Sequence, residues 1–513
     1  MRDTAEASLY SSFMPAQLLP IQQLLRTPLP TIEGNVDYER LRTQLIRIDQ
    51  LLIQSSIEEQ FVAATLESRI ASSPSGKISS KARRKIQIHA RRALRCNIAR
   101  TLIMEDFRGF AIRLADSPLF QHFCGLGELD RIQVPSKSTL QRYSQWADDA
   151  AVRRLVDQLN QQAHVDPRKL RLRAPLDLEA CFLDTTCVPS NIHYPVDWVL
   201  LRDATRTLMK AVRLIRAQGL RHRMEEPALF LRRMNILCMQ MTHKSRAKTD
   251  SKKQRKKILR AMDRLVGKVA AHARRYRQIL DEQWEQTQWT RGETDYILRR
   301  MDNVLQQLPV ARRQARQRII QEQPVPSKDK ILSLYEPDAQ VIVRHKAGAE
   351  VEFGNTLLIG ESPQGVLIEW ELFKEIAPND SRLVSRSLNR IEQKLNIKLK
   401  ALGADRGFDS ETNRQLLEKR KTYNGICPRS VKELKRRKTS WKFSRLQWRR
   451  SQCEGRIGIV KNNFLGHPLR SKGFAGRELA VSWAVLTHNL WVIARLPQRK
   501  SRRQARPPAL LAA

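Results

Sequence analysis

Three carboxylates stand where they could bind metal ions together: Asp184, Asp405 and Glu454. Asp184 lies within the short apolar run ACFLDTTCV and Asp405 ends the alternating run IKLKALGAD, and both runs predict strands. Glu454 is the only acidic residue between Glu433 and Glu478, an interval with thirteen Lys and Arg residues. Two strand aspartates that converge with a helix glutamate can hold two Mg²⁺ ions, with Mn²⁺ as an alternative, since these ions prefer oxygen ligands. Two such ions can activate a water or a 3′-hydroxyl and stabilise the leaving oxygen in phosphoryl transfer.

Spacing alone does not single out these three carboxylates among the 52 acidic residues of the chain. Asp177, Glu179 and Asp197 compete with Asp184 for the first position, and Asp409 competes with Asp405 for the second. The residue pattern therefore leaves the choice of metal ligands open at this point.

The segment around Glu454 predicts a helix with a buried apolar stripe at three- to four-residue spacing, formed by Leu446, Cys453, Ile457, Val460 and Phe464. At about 100° per residue, Arg450, Glu454 and Lys461 fall within roughly 40° of one another beside that stripe. Gly455 and Gly458 weaken a helix, which indicates a close approach to its backbone. An alternative for Glu454 is a surface ion pair with Arg450, which would contribute only about 0–1 kcal/mol.

The charge balance points to a polyanionic partner. The chain has 93 Lys and Arg against 52 Asp and Glu, a formal net charge of +41, yet 41% of its residues are hydrophobic. We therefore expect a folded basic protein that binds nucleic acid, although charge by itself would also suit a nonspecific RNA-binding protein. The seven cysteines show no Cys-x-x-Cys spacing, which favours buried free thiols in a reducing cytosol. The N-terminal sequence resembles neither a signal nor a transit peptide, and the most apolar window, 478–496, favours a buried helix over a membrane span.

Periodicity and composition divide the chain into segments. The predicted segments are an N-terminal segment (1–34), a helical DNA-binding domain (35–150), the first part of an α/β core (170–199), a basic helical insertion (200–325), the remainder of the core (330–497) and a disordered basic tail (498–513). Within the DNA-binding domain, Ser136 or Ser138 can cap a helix that follows a basic run. The strand, helix, strand, helix order from residue 380 to 420 argues for a sheet with helices packed on it.

Several separated stretches resemble the transposases of bacterial insertion sequences, in the same order along the chain. They are VPSKSTLQRY, LDTTCVPSNIHYPVDWVLL, VEFGN, GADRGFDSETN and RSQCEGRIGIVKNNF. The resemblance implies an RNase H-like α/β catalytic core, a mixed sheet with helices, preceded by a mainly helical DNA-binding domain. The basic helical insertion then separates the first strand from the rest of the sheet.

The resemblance also implies roles for individual residues. Asp184, Asp405 and Glu454 become the three catalytic, metal-binding acids, and Arg450 and Lys461 become contacts to DNA phosphates. The last motif of such transposases is Tyr, two residues, Arg, three residues, Glu, six residues, Lys. Arg450, Glu454 and Lys461 match its spacing, whereas Gln447 occupies the tyrosine position.

The function implied is that of a DDE transposase. Such an enzyme binds the terminal inverted repeats of its element, cleaves the DNA strands there with Mg²⁺ and joins the 3′-hydroxyl ends to target DNA. Two bound ends imply at least a dimer in the active complex, without a membrane, in the bacterial cytoplasm beside the nucleoid. Two alternatives remain: a metal-dependent nuclease on the same fold that never joins strands, and an inactive, transposase-derived DNA-binding protein.

Overall fold

Helices make up most of the chain before the first strand. The structure is a computed structural model that describes residues 28–73, 77–126, 132–246, 251–346, 349–466 and 468–499. The helices before the first strand are α1 (Val36–Gln54), α2 (Ile57–Ala71), α3 (Ser80–Leu102), α4 (Phe107–Asp116), α5 (Pro118–Cys124), α6 (Lys137–Tyr143) and α7 (Asp149–Val165). Polar side chains accept backbone N–H groups at the starts of α1, α3, α4, α6 and α7, namely those of Asn35, Ser79, Asp106, Ser136 and Asp148. Of the two caps considered for α6, the structure selects Ser136, whose Oγ accepts the N–H of Thr139 at 3.3 Å.

The basic segment after the first strand is also helical. It contains α8 (Asp197–Ala217), α9 (Pro227–Arg246), α10 (Ser251–Gln283) and α11 (Arg291–Ala315), and the last continues as a π-helical turn, Arg316–Ile320. Thr290 and Glu293 form a reciprocal capping box at the start of α11. Apolar side chains of all four helices form one core of their own, with Tyr276 and Met301 fully buried in it. The Lys/Arg-rich stretch of α10 is therefore the outer side of a folded helical unit.

Six strands in the described residues form one mixed sheet. The strands are β1 (Ala180–Pro189), β2 (Gln340–Lys346), β3 (Ala349–Glu361), β4 (Leu367–Leu372), β5 (Ala401–Ala404) and β6 (Tyr423–Ile426). β3 pairs antiparallel with β1, and β2 and β4 each pair antiparallel with β3. On the other side of β1, β5 runs parallel to β1 and β6 runs parallel to β5. The strands predicted at ACFLDTTCV and at IKLKALGAD are thus confirmed as β1 and β5, whereas β6 was not predicted.

The remaining helices follow β4. They are α12 (Asp380–Leu395), α13 (Glu411–Lys419), α14 (Val431–Lys438), α15 (Trp441–Val460) and α16 (Phe474–Ile493), and α15 runs on into a π-helical turn, Lys461–Leu465. Ser410 caps α13 by accepting the N–H of Asn413 at 3.2 Å. α16 is buried along most of its length, as expected from the apolar window 478–496. No helix in the described stretches is long and apolar enough to cross a membrane.

The N-terminal helices and the sheet share one apolar core. Side chains from α1 to α7, from the strands and from α16 belong to a single buried cluster. Polar contacts reinforce the junction, because Asn160 of α7 donates to the Leu367 carbonyl at 3.0 Å and Trp370 of β4 donates to Ser482 of α16 at 3.0 Å. The predicted domain boundary near residue 150 stays a prediction. In the described residues, the apolar core is continuous from the first seven helices to the sheet.

Two predicted segments fall at the edges of the described chain. Residues 1–27 of the N-terminal segment and 500–513 of the basic tail lie outside the described residues. Gln498, assigned to the disordered tail by composition, forms a β-bridge with Leu172, and the N–H of Arg499 donates to the Arg171 carbonyl at 3.0 Å. The ordered chain therefore extends at least two residues beyond the predicted boundary.

Candidate functional site

The sheet register brings Asp184 and Asp405 together. Leu183 of β1 pairs with Ala404 of β5 in a parallel ladder, and the two aspartates are the next residue on each strand. Neighbouring strands lie about 4.8 Å apart, so adjacent positions on parallel strands present their side chains side by side. Two of the three predicted acids are thus neighbours because β1 and β5 are neighbours.

Local hydrogen bonds orient both aspartates. The Asp184 carboxylate accepts the N–H of Thr185 at 2.7 Å. Asp405 caps the short 3₁₀ turn that follows β5, where its carboxylate accepts the N–H of Gly407 at 2.8 Å. A Cβ built on Gly407 would lie 3.1 Å from the Asp405 carboxylate, so a larger residue would crowd this cap.

Arg449 fastens α15 to the face of the sheet that carries Asp184. Side chains alternate along β1, so Phe182 and Asp184 share a face, and the Arg449 guanidinium lies 5.2 Å from the centre of the Phe182 ring. The same guanidinium donates to the carbonyls of Pro363 at 2.8 Å and Ser362 at 3.0 Å. α15 is therefore held directly over the strand that contains the first aspartate.

A buried carboxylate completes this attachment. Glu361, at the end of β3, is only 1% exposed and forms ion pairs with Arg449 and, at 3.4 Å, with Arg456 of α15. The Cys453 thiol donates to the same carboxylate at 3.3 Å. A buried charge is tolerated where it is paired and hydrogen-bonded, and here those partners come from three successive turns of one helix.

Gln447 connects α15 to the strand ends. Its side-chain amide donates to the carbonyl of Gly425 in β6 at 2.5 Å and, more weakly, to that of Ala404 at 3.4 Å. Ala404 directly precedes Asp405, so the residue in the tyrosine position contacts the backbone that presents the second acid.

Glu454 is exposed and forms no ion pair with a described residue. The alternative in which it pairs with Arg450 is therefore not what the structure shows. No atom lies within 4 Å of a Cβ built on Gly455 or Gly458, so the chain itself makes no close approach there. This side of α15 is open to a ligand.

The charges of the other two acids act on Asp184. Burial, followed by the negative charges of Asp405 and Glu454, raises the pKa of Asp184 to about 6, while the Thr185 N–H and the Arg450 guanidinium act to lower it. The carboxylates repel one another, and Arg450 compensates that repulsion only in part. A cation bound among them would relieve it.

Asp380, the first residue of α12, is a fourth carboxylate at this site. Its carboxylate accepts the Thr185 hydroxyl at 3.2 Å. A Cβ built on Gly407 would lie 2.8 Å from one Asp380 oxygen and 3.1 Å from an Asp405 oxygen, so these two carboxylates flank the same glycine. In the sequence Asp380 is indistinguishable from an ordinary acid in the first turn of a helix, and only the fold reveals its position.

The competing acids all have other partners. Asp197 lies at the start of α8, where it pairs with Arg318 at 2.9 Å, and Asp409 pairs with Arg414 at 2.7 Å. Glu179 pairs with Lys400 at 2.7 Å, and the Asp177 carboxylate accepts the N–H of Glu179 at 3.0 Å. Each of the four competing acids therefore has a structural role in an ion pair or a hydrogen bond. Asp184 and Asp405 are the pair that lies beneath α15.

The two residues predicted to contact DNA phosphates, Arg450 and Lys461, lie on α15 and on the π-helical turn that continues it. Glu454 lies on the same helix. Arg450 is partly buried, and its influence on the pKa of Asp184 places its positive charge beside the carboxylates. Lys461 begins the π-helical turn after α15 and is also partly buried. Neither forms an ion pair with a described acid, so both charges are available to an anionic ligand.

The donor chemistry fits Mg²⁺, although the acids are not closed around an ion. Carboxylate oxygens from Asp184, Asp405 and Glu454 are the hard ligands that Mg²⁺ prefers. Among the described residues, no group of three or more His, Cys, Asp or Glu side chains is arranged to hold a metal ion. Glu454 is exposed and forms no ion pair with a described residue, so its side chain can reorient toward the two aspartates.

The adjacent aspartates, the helix fastened over them and the surrounding basic side chains are the grounds on which a function can be proposed. None of the protein-family models, curated proteins and solved structures compared with this chain matches it.

Proposed function

We propose that this chain is a DDE transposase of a bacterial insertion sequence. It would bind the terminal inverted repeats of its element, cleave the DNA strands at those ends and join the 3′-hydroxyl ends to target DNA. The observation that carries the proposal is that Asp184 and Asp405 follow paired positions on adjacent parallel strands, beneath the helix that carries Glu454. These are the three acids that the sequence motifs single out.

The arrangement of the sheet supports an RNase H-like core. β1 is central, with an antiparallel neighbour on one side and two successive parallel strands on the other. The helical unit of α8 to α11 lies between β1 and β2 in the chain and has its own apolar core. An insertion of this kind can separate two acids in sequence without separating them in the sheet.

Asp184, Asp405 and Glu454 would hold Mg²⁺, or Mn²⁺ in its place. When bound, the ions would supply activation of a water or 3′-hydroxyl and stabilisation of the leaving oxygen. The protein's own part is positional, because the strand ladder fixes the two aspartates while Arg449 and Gln447 fix the helix of Glu454. Arg450 and Lys461 would bind backbone phosphates on either side of Glu454.

The proposed partner is double-stranded DNA, both element ends and target. The net charge of +41 favours a polyanion, and the helical domain 35–150, which contains α1 to α6, would provide recognition of the ends. Two ends held at once require at least a dimer in the active complex. The proposed location is the bacterial cytoplasm, at the nucleoid.

The decisive test compares Glu454→Gln with Lys461→Ala in the full-length protein. Glu454→Gln removes a metal ligand and a negative charge that faces DNA, so DNA affinity should hold or increase while Mg²⁺-dependent nicking is lost. Lys461→Ala should weaken DNA binding for all sequences and reduce the slope of log affinity against log salt by about one unit. Gel shifts across a salt series and a nicking assay on the same proteins measure both effects.

Glu418→Gln is the matched control, since it removes one exposed carboxylate from the same part of the chain without touching the site. It should nick DNA like the wild type. Normal nicking by Glu454→Gln would refute the catalytic role of α15. If the wild type nicks DNA but never joins strands in a strand-transfer assay, the chain is instead a nuclease, and a wild type that binds without nicking would be a DNA-binding protein only.

A further inference from the structure

A cavity of about 390 Å³ lies between α8 and α11 of the helical insertion, Tyr335, and Lys472 in the turn before α16. Its volume falls within the range of small-ligand pockets, roughly 300–1,000 Å³. We call it the seam pocket, and it is lined by Arg206, Thr207, Lys210, Arg300, Tyr335 and Lys472. Four of these six side chains are cationic and none is acidic.

The four cations come from three separate parts of the chain. Arg206 and Lys210 lie one turn apart on α8, Arg300 lies on α11, and Lys472 lies just before α16. Like charges four residues apart destabilise a helix, so the α8 pair is unfavourable unless an anion is nearby. In the described residues, Arg206 contacts Asp203 at 3.5 Å, whereas the other three cations form no ion pair. The seam pocket thus concentrates positive charge that the protein itself neutralises only in part.

Two hydroxyl groups stand among these cations in fixed positions. The hydroxyls of Thr207 and Tyr335 lie 2.5 Å apart, and the Tyr335 hydroxyl also donates to the Asp203 carbonyl at 3.3 Å. Thr207 is buried, so its side chain belongs to the wall of the cavity and not to its rim. Because Tyr335 donates to the Asp203 carbonyl, Thr207 is the donor to Tyr335, so the two hydroxyls order the wall and the four cations are left to contact an oxyanion.

The wall that carries Tyr335 is anchored to the core. The next residue, Glu336, is 5% exposed and forms an ion pair with the buried Arg477 of α16. Its carboxylate oxygens also accept the N–H of Gly473, at 3.1 and 3.0 Å, and Gly473 directly follows Lys472. Because Arg477 and Gly473 already satisfy Glu336, that carboxylate does not neutralise the pocket. The contacts also fix Tyr335 and Lys472 relative to each other.

We propose that the seam pocket binds a phosphate group of a nucleic-acid backbone and so clamps the strand between the insertion and the core. The proposal rests on the proposed function for the identity of the polyanion, and on the pocket's own residues for the phosphate. Flexible Lys and Arg side chains recognise phosphate without reading base sequence. The seam pocket would therefore add affinity equally for element ends and for unrelated DNA.

The test substitutes two pocket cations, Lys210→Gln with Arg300→Gln, in the full-length protein. The matched control is Arg213→Gln with Arg299→Gln, which removes the same charge from the same two helices at exposed positions outside the pocket. Fluorescence anisotropy with an end-sequence duplex and a random duplex is measured across a salt series. The pocket variant should lose affinity for both duplexes by on the order of tenfold to a hundredfold near 0.1 M salt, and its salt slope should fall by about two units. The control should remain close to the wild type.

A second variant, Lys472→Gln, probes the pocket from a different part of the chain and guards against a local folding defect in the first. It should lower the salt slope by about one unit. Pocket variants that bind both duplexes as the control does would overturn the proposal. The proposal would also be overturned if inorganic phosphate bound the wild type and not the variant in calorimetry while DNA affinity stayed unchanged, because the pocket would then serve a free anion.

Failure of this proposal is distinguishable from failure of the proposed function. Mg²⁺-dependent nicking by the wild type depends on the carboxylates beneath α15, none of which lines the seam pocket. A wild type that fails to nick, combined with a pocket variant that loses DNA affinity, would remove the transposase assignment and retain the phosphate site.

Discussion

Gln447 occupies the tyrosine position of the resembled transposase motif. Its amide donates to the carbonyl of Gly425 in β6 and to that of Ala404, the last residue of β5 and the one before Asp405. These contacts give the glutamine a structural role that is independent of any chemistry performed by a tyrosine there. With glutamine in place of tyrosine, the helix that carries Glu454 is therefore still attached to the sheet.

Asp157 of α7 is a residue whose charge opposes folding at neutral pH. Burial raises the pKa of Asp157 to about 6, even though Lys394 and Arg153 act to lower it, and one of its oxygens has no hydrogen-bond partner among the described residues. Because the folded-state pKa lies above the ordinary 3.8, the folded protein binds the proton more tightly. The free energy of unfolding therefore falls as pH rises from about 4 to about 6 and stays lower above that window.

We predict that Asp157→Asn removes this cost. At pH 8 the free energy of unfolding should increase by up to about 3 kcal/mol, the equivalent of the shift in pKa, whereas at pH 4 it should change little. Thermal unfolding at the two pH values measures the difference, with the exposed Asp116→Asn as control. Equal effects of Asp157→Asn at pH 4 and pH 8 would contradict the prediction.

At the scale of elements, the pairing of β1 with β3 requires a glycine. Gly354 faces Pro189 in the antiparallel ladder, and a Cβ built on it would overlap the carbonyl oxygen of Val188. Relief of such a contact with the backbone requires the strands to separate. The glycine of the VEFGN stretch therefore maintains the pairing of the strand that carries Asp184.

We predict opposite effects for alanine at two glycines. Gly354→Ala should destabilise the protein by about 1–3 kcal/mol or more, because the added methyl group overpacks a strand pair. Gly458→Ala should be neutral or stabilise it by up to about 1 kcal/mol, because it favours the helix and its Cβ meets no atom within 4 Å. Chemical denaturation measures both, and a stable Gly354→Ala protein would show that β1 and β3 are not paired in this register.

At the scale of the whole molecule, the described chain has two separate apolar cores. One unites α1 to α7, the sheet and α16, and the other belongs to α8 to α11 with residues 331 and 334. Ion pairs and polar contacts, such as that of Arg318 with Asp197, lie within the second unit. Two cores allow the units to lose structure separately.

We predict two unfolding transitions that respond to different substitutions. Leu208→Ala, in the insertion core, should lower one transition, and Leu490→Ala, in the shared core, should lower the other, each by about 2–5 kcal/mol in stability because both side chains are fully buried. Differential scanning calorimetry of the two variants measures this, and each serves as the control for the other. One transition that shifts equally in both variants would show that the cores unfold as a unit.

The sequence alone determined the features that depend on local pattern. A short apolar run predicted β1, alternation predicted β5, three- to four-residue spacing predicted α15, and hydroxyl residues ahead of α6 marked Ser136 as one of two candidate caps. The motifs, and not spacing, led to the prediction that Asp184, Asp405 and Glu454 are the metal-binding acids among the 52 acidic residues. Local pattern predicts strands, helices and caps because backbone preference and side-chain periodicity act over a few residues.

The tertiary structure decided everything that depends on residues far apart in the chain. β6 contains Asn424 and Gly425, residue types that are depleted in strands, and it was not predicted; it pairs in parallel with β5. Asp380 reaches the site through Thr185, nearly two hundred residues earlier, and the seam pocket combines cations from α8, α11 and the turn before α16. Such groupings are set by sheet register and by shared apolar cores, because long-range packing and not local preference determines which side chains meet.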